Sequence, residues 1–189
     1  MNATKLLLDI PQEQLTPDES KMIQRNEQEL LQNLNYNADF PIGRLQLGDY
    51  HTRKGNHSEA IKHYEMGIKM DSLIIPIYTN LATVYNLAGK NNEALSTLSK
   101  ALEIENTNDR LHYLKGLLEV EMGNKDKAII HLSRSISINR FLIKGYYNLA
   151  VIYYENQDID KCRQVLKQGL QNNPNAIQIK EFLTMLDSN

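Results

Sequence analysis

"IPIYTNLATVYNLAGKNNEALSTLSKALEIENTN", residues 75 to 108, decides the fold. Pro76 suits a first helical position, and a helix is expected from Pro76 to Leu87. The segment "AGKNN" interrupts it, and a second helix is expected from about Glu93 to Ile104. Gly89 sits where the first helix must stop, because glycine takes a left-handed backbone without a Cβ clash. Two helices this short cannot bury their apolar sides alone. The stretch is therefore read as one member of a stack.

The rest of the chain supplies the other members. Three more segments align with it, "PIGRLQLGDYHTRKGNHSEAIKHYEMGIKMDSLI" from Pro41, "DRLHYLKGLLEVEMGNKDKAIIHLSRSISINRFL" from Asp109 and "IKGYYNLAVIYYENQDIDKCRQVLKQGLQNNPNA" from Ile143, each 34 residues without insertion. The repeats are thus expected at 41–74, 75–108, 109–142 and 143–176, spanning 41–176. Gly48, Ala82, Gly116 and Ala150 form one small-residue column, and Ala60, Ala94, Ala128 and Cys162 a second. Tyr64, Leu98, Leu132 and Leu166 form a large column, followed by the small residues Gly67, Ala101, Ser135 and Gly169. Gly55, Gly89 and Gly123 share a column with Gln157. Small residues let paired helices approach, and large ones fill the layer between pairs. The fold class expected is all-α, a right-handed superhelix of stacked antiparallel helix pairs.

These columns resemble the tetratricopeptide repeat (TPR) family. The likeness rests on "NLATVY" at Asn80 to Tyr85, "NLAVIY" at Asn148 to Tyr153, "LG" at Leu47 and Gly48, and the glycine-to-alanine segments after the first helices. Departures are His51 and Glu119 in the column of Tyr85 and Tyr153. Ser72, Asn106 and Arg140 also depart, standing in the column of Pro174. The wording of "NADFPIGRLQLGDYHTRKGNHSEAI" and "LIIPIYTNLATVY" is also similar to TPR tails of larger bacterial cytochrome-c-like or HEAT-repeat proteins.

The flanks read as caps. Residues 1–40 hold a leader and a capping helix, with Thr16 at the N-cap, Pro17 at the first helical position and Glu19 completing a capping box. "TKLLLDI" ahead of it looks like the end of another helix and raises the expectation that the chain is part of something longer. Residues 177–189 form a solvating helix. Its Ile179, Phe182, Leu183 and Leu186 follow one helical face.

Composition narrows the function. Hydrophobic residues are 41%, charged residues 23%, and the formal net charge is -2, which gives no basic excess for nucleic acid. No apolar run approaches the ~18 residues of a membrane helix, so no membrane insertion is expected. The first residues, with a three-leucine run followed by Asp9 and Glu13, do not read as a signal peptide. Compartment stays open: cytoplasm by default, periplasm if the parent protein is exported. The single cysteine, Cys162, fills a small-residue column and reads as buried packing. Five histidines show neither an i, i+4 metal pair nor H-E-x-x-H. His51 and His112 are expected to replace aromatics, and the others to lie in turns or on second-helix surfaces. No cofactor or metal is called for, and the chain reads as no enzyme.

Function is expected on the first helices, which line the concave surface in TPR proteins. With about 100° per residue, Tyr146, Leu149, Ala150 and Tyr153 serve the repeat columns. Tyr147, Val151 and Tyr154 form the next stripe, matched by Tyr113, Leu117 and Val120 one repeat earlier. The equivalents in the second repeat are the polar Thr79, Thr83 and Asn86. Asn80 and Asn148 are expected to bond a partner's backbone, as the resemblance implies, and Arg110 and Lys144 to hold a carboxylate at the margin. A protein or peptide partner is expected. The alternatives are packing of the stripe on itself or on the N-terminal leader, a homodimer contact, and an assembly module of a longer protein, which could be exported and redox-associated. The carboxylate clamp of chaperone-binding TPR domains is not matched. One register gives Leu45, Asp49, Asn80, Arg110 and Leu114, and the other gives Thr79, Thr83, Leu114, Lys144 and Asn148.

Overall fold

The computed structural model describes residues 15–188. The expected leader segment "TKLLLDI" lies outside these residues. Among the described residues there are ten α-helices and no strand. The chain divides into two compact units at Ser72 and Leu73, and each is described by itself.

The first unit contains α1 (Pro17–Tyr36), α2 (Pro41–Arg53) and α3 (His57–Met70). The start of α1 has the capping box: the Glu19 amide donates to Thr16 Oγ1 at 3.3 Å and the Thr16 amide to Glu19 Oε2 at 2.8 Å. These bonds satisfy donors that the helix itself leaves open. No residue of α1 is fully buried. Instead it is tied to α2 by polar contacts. Glu27 accepts from the Tyr50 hydroxyl and pairs with Lys54 Nζ at 2.6 Å. Lys54 and then Tyr50 hold the Glu27 carboxyl below its usual range, while burial and Glu27 push the Tyr50 phenol up to about 12. Against α3, a Cβ on Gly48 would stand 2.3 Å from Cε1 of Tyr64. The bulkiest residue of the large column therefore faces a residue without a side chain.

The second unit contains three helix pairs and one further helix. The pairs are α4 (Ile75–Leu87) with α5 (Asn91–Ile104), α6 (Asp109–Glu121) with α7 (Lys125–Ile138), and α8 (Ile143–Glu155) with α9 (Ile159–Asn172). Leu98, Leu132 and Leu166 are buried, as are Ala82, Gly116 and Ala150. A Cβ on Gly116 would lie 2.7 Å from Cγ of Leu132, so this close approach decides the helix spacing. The second helices begin two residues earlier than the sequence suggests, α5 at Asn91 rather than near Glu93. The turn is the reason. Lys90 donates its amide to the Tyr85 carbonyl, closing α4, and is at once the N-cap of α5. The same closing bond runs from Asn124 to Glu119 and from Asp158 to Tyr153. In the first unit it runs from Asn56 to His51. Gly55, Gly89, Gly123 and Gln157 supply the left-handed residue, with φ of 73°, 73°, 77° and 61°.

The last helix, α10 (Ile177–Asp187), starts 34 residues after α8. It is the first helix of a repeat with no second helix among the described residues. Ile179 and Leu186 are buried in the core of the last repeat. Lys180, Thr184 and Asp187 are exposed where α8 places Tyr146, Ala150 and Tyr153.

Candidate functional site

The candidate site is built on α6 and α8. Tyr146, Leu149 and Ala150 are buried, which commits one side of α8 to the scaffold. Burial raises the pKa of the Tyr146 phenol, and Asn172 Nδ2 donates to its oxygen at 3.0 Å. The adjacent stripe behaves differently. Tyr147 is 36% exposed and Tyr154 41%, with Val151 half-buried between them. On α6, Val120 is exposed while Tyr113 and Leu117 are half-buried. The two stripes are joined by Asn148, whose Nδ2 donates to the Tyr113 hydroxyl oxygen at 3.1 Å. Asn148 thus spends one donor inside the protein. Asn80, on α4, is half-buried and its Oδ1 accepts from the Thr79 hydroxyl at 3.4 Å.

The tyrosines are not left to solvent alone. Phe182 of α10 packs on both, with ring centroids 5.7 Å from Tyr147 and 5.7 Å from Tyr154. The interplanar angles are 54° and 75°, in the tilted and edge-to-face range that aromatic quadrupoles favour. Met185 of α10 is 39% exposed and falls in the column of Val151 and Leu117. Sequence reasoning missed Phe182 and Met185 as parts of this stripe. Continuing the 34-residue register past Ala176 would have found them, because Phe182 then shares the Asn148 column. Along the margins, Arg110 and Lys144 are exposed. Glu155 pairs with Lys125 at 2.8 Å, and Glu121 accepts from Asn86 Nδ2.

The histidines sit differently from expectation. His51 and His112 do occupy aromatic columns, but His63 and His131 are not surface residues of the second helices. Both are half-buried, and each packs against the first helix of its own repeat. His112 Nε2 faces the Asn106 carbonyl at 3.1 Å, which can only accept, so that nitrogen carries the proton. Its Nδ1 then accepts from Nδ1 of His131 at 3.2 Å. Burial first, then Lys115 and His112, push His131 down to about 4, and Glu119 opposes them. The second-helix columns that sequence alone placed outside face inward because the helix pair closes over them.

Burial raises the pKa of the Cys162 thiol, which disfavours the thiolate. Among the described residues no group of three or more His, Cys, Asp or Glu is arranged to hold a metal ion. No described helix is long and apolar enough to cross a membrane.

These features define a helical repeat protein of paired helices in a 34-residue register. Tetratricopeptide repeat models match residues 75–108, 109–141 and 143–176. The chain belongs to the tetratricopeptide repeat family. It is 22% identical over 148 residues to human tetratricopeptide repeat protein 6, covering 78% of this chain and 28% of the relative. It is 26% identical over 157 residues to human protein O-mannosyl-transferase TMTC3, covering 81% of this chain and 16% of the relative. The chain therefore spans less than a third of the length of these curated relatives. Among solved structures, YrrB, described as a TPR protein with an unusual peptide-binding site, superposes with TM-score 0.65 at 16% identity. The match covers 84% of this chain and 81% of that one. The first TPR of Spaghetti (RPAP3), solved with the HSP90 peptide SRMEEVD, gives TM-score 0.60 at 18% identity, covering 64% and 95%. At these identities the superpositions establish the fold. TPR repeats in general mediate protein–protein interaction, and TPR scaffolds are generally non-enzymatic.

Proposed function

We propose that the chain is a non-catalytic interaction module that holds a peptide or helix of a partner protein on its first helices, chiefly in repeats three and four. The repeats are assigned to 41–176, between a leader with capping helix at 1–40 and a solvating helix at 177–189. The carrying observation is the partly exposed apolar stripe of Tyr113, Leu117, Val120, Tyr147, Val151 and Tyr154. These side chains lie beside the columns that build the repeat, and exposed aromatic and aliphatic clusters are favoured anchor sites. Asn148 keeps its Oδ1 as an acceptor for a partner backbone, and the half-buried Asn80 stands two repeats earlier in the same column. Arg110 and Lys144 offer positive charge at the margin.

The test uses a displayed peptide library. The native chain should enrich peptides with apolar anchors. Tyr147→Ala with Tyr154→Ala should keep the far-ultraviolet helical signal and weaken the selected peptides at least about tenfold, the scale of a lost hot spot. Equal binding by the double variant rejects the stripe. Phe182→Ala serves as a control, since it removes the internal contact while keeping both tyrosines.

A second reading is favoured by the coverage of the relatives. A chain that spans 16% to 30% of the curated proteins it matches fits an assembly module docking on the rest of a longer protein, or on a second copy. Light scattering across a concentration series separates self-association from a monomer.

A further inference from the structure

The cleft between α4 and α6 holds a cavity of about 100 Å³. Ala82 and Leu98, both buried, form its floor, and the half-buried Leu114 and Leu117 form its walls. Asn86 and the exposed Glu121 lie at the rim. A comparison inside the same unit explains why the protein's own side chains leave this cleft open. In the cleft between α8 and α10, Phe182 is held by Tyr147 and Tyr154. The same three columns between α4 and α6 carry Leu114, Thr79 and Asn86. All three aromatic rings are replaced by smaller side chains here; Leu114 and Asn86 line the cavity, while Thr79 is buried and does not.

The size and chemistry limit what can enter. An apolar cavity of roughly 150 Å³ accepts benzene, so this one suits a branched aliphatic side chain of about four carbons. The rim adds a charge. Glu121 accepts a hydrogen bond from the neutral Asn86 amide, and among the described residues no cation pairs with it. Its complement is a positive group next to the aliphatic one. We propose that this cavity is an anchor pocket for a leucine-like side chain whose own or neighbouring residue carries a positive charge, presented by a peptide of a partner protein. The inference shares the peptide-partner reading above and rests on separate residues, with only Leu117 in common.

The probe is L-leucinamide at pH 6.5, where its ammonium is charged, titrated into the full chain with methyl-labelled leucines. Saturable shifts confined to Leu98, Leu114, Leu117 and Leu118, with a dissociation constant in the millimolar range, are expected. L-alaninamide should bind at least about tenfold more weakly, because three buried carbons are lost. Glu121→Gln should cost roughly threefold with leucinamide and nothing with neutral N-acetyl-leucine methylamide, as expected of an exposed charge pair. Asn86→Tyr copies the Tyr154 column and should abolish the shifts, with Thr83→Phe as a second filling variant if the first misfolds. No saturable shift, shifts scattered over both units, or equal binding of alaninamide overturns the pocket. Tyr147→Ala with Tyr154→Ala should leave the probe unaffected. Failure of the stripe and failure of the pocket are therefore read independently.

Discussion

Gln157 is the one non-glycine residue with a positive φ among the described residues, at 61°. An L-residue pays about 1–2 kcal/mol for that backbone. Its three counterparts are glycines whose added Cβ would meet nothing within 4 Å, so the column demands glycine for its φ and not for space. Gln157→Gly should stabilise the chain by about 0.5–1 kcal/mol, the backbone relief being partly offset by the greater freedom of the unfolded glycine. Urea unfolding followed by circular dichroism checks it, and a lower midpoint would contradict it. Gly48 and Gly116 make the opposite case. There, space is the constraint and the helix itself would favour alanine by up to about 1 kcal/mol. A Cβ on Gly48 would press into the Tyr64 ring at 2.3 Å, whose hydroxyl is held by Asp49 Oδ1 at 2.7 Å. Gly48→Ala should therefore destabilise by about 1–3 kcal/mol. Gly116→Ala meets Cγ of the buried Leu132 at 2.7 Å and its backbone nitrogen at 3.2 Å, but the same column takes Ala82 and Ala150 opposite leucines, so a small shift of the pair and the helix propensity of alanine offset much of the crowding. Its net effect should be under about 1 kcal/mol. Both glycine columns were legible in the sequence. Which need was spatial and which was conformational required the coordinates, because one letter serves both.

Single elements carry two further predictions. The neutral His112–His131 pair joins α6 to α7. Burial lowers both pKa values from the ordinary 6.5, aided at His131 by Lys115 and at His112 by Arg134 and Lys115. A depressed histidine pKa means that the unfolded chain takes up the proton first. The stabilising contribution is complete above about pH 6.5 and drains away as pH falls toward the folded value of about 4 at His131. The thermal midpoint should fall between pH 7 and pH 5, and His131→Leu should flatten that slope. An unchanged slope would place the sensitivity elsewhere, with His63 as the next group, since burial lowers its pKa too. Phe182 is the second case. Phe182→Ala removes two aromatic contacts and half-buried apolar area, which should cost about 2–4 kcal/mol. Amide exchange in α10 should report it. The histidine contact could not be read from spacing. The two residues stand 19 apart in the chain, and only the closed helix pair brings them together. Phe182 was recognised as apolar toward the last repeat, and it does pack there, but its added contact with the tyrosine stripe depended on where α10 lies.

At the scale of the whole molecule, helix, turn and register were readable because each repeat states them again. The stripe was readable as an angle on α8, while the cavity beside α4 was not. An empty volume is set by side chains missing from two helices at once, and no single column records it. The same repetition governs how damage spreads. In stacked repeats the stability is close to a sum of repeat and neighbour terms. Ending the chain after Ala176 removes α10, and with it the buried Ile179 and Leu186 and the half-buried Phe182 and Leu183. At about 1.5–3 kcal/mol for each fully buried aliphatic side chain, Ile179 and Leu186 alone account for about 3–6 kcal/mol, and all of it falls on the last repeat. Gly169, whose added Cβ would stand 2.8 Å from Ile179, would face solvent together with Tyr146. Amide exchange in the shortened chain should accelerate first in α8 and α9, then less in α6 and α7, while α1 to α3 keep their native rates. Uniform acceleration through all helices would mean that the chain folds as a single cooperative block, and nearest-neighbour coupling would then fail as the description of this array.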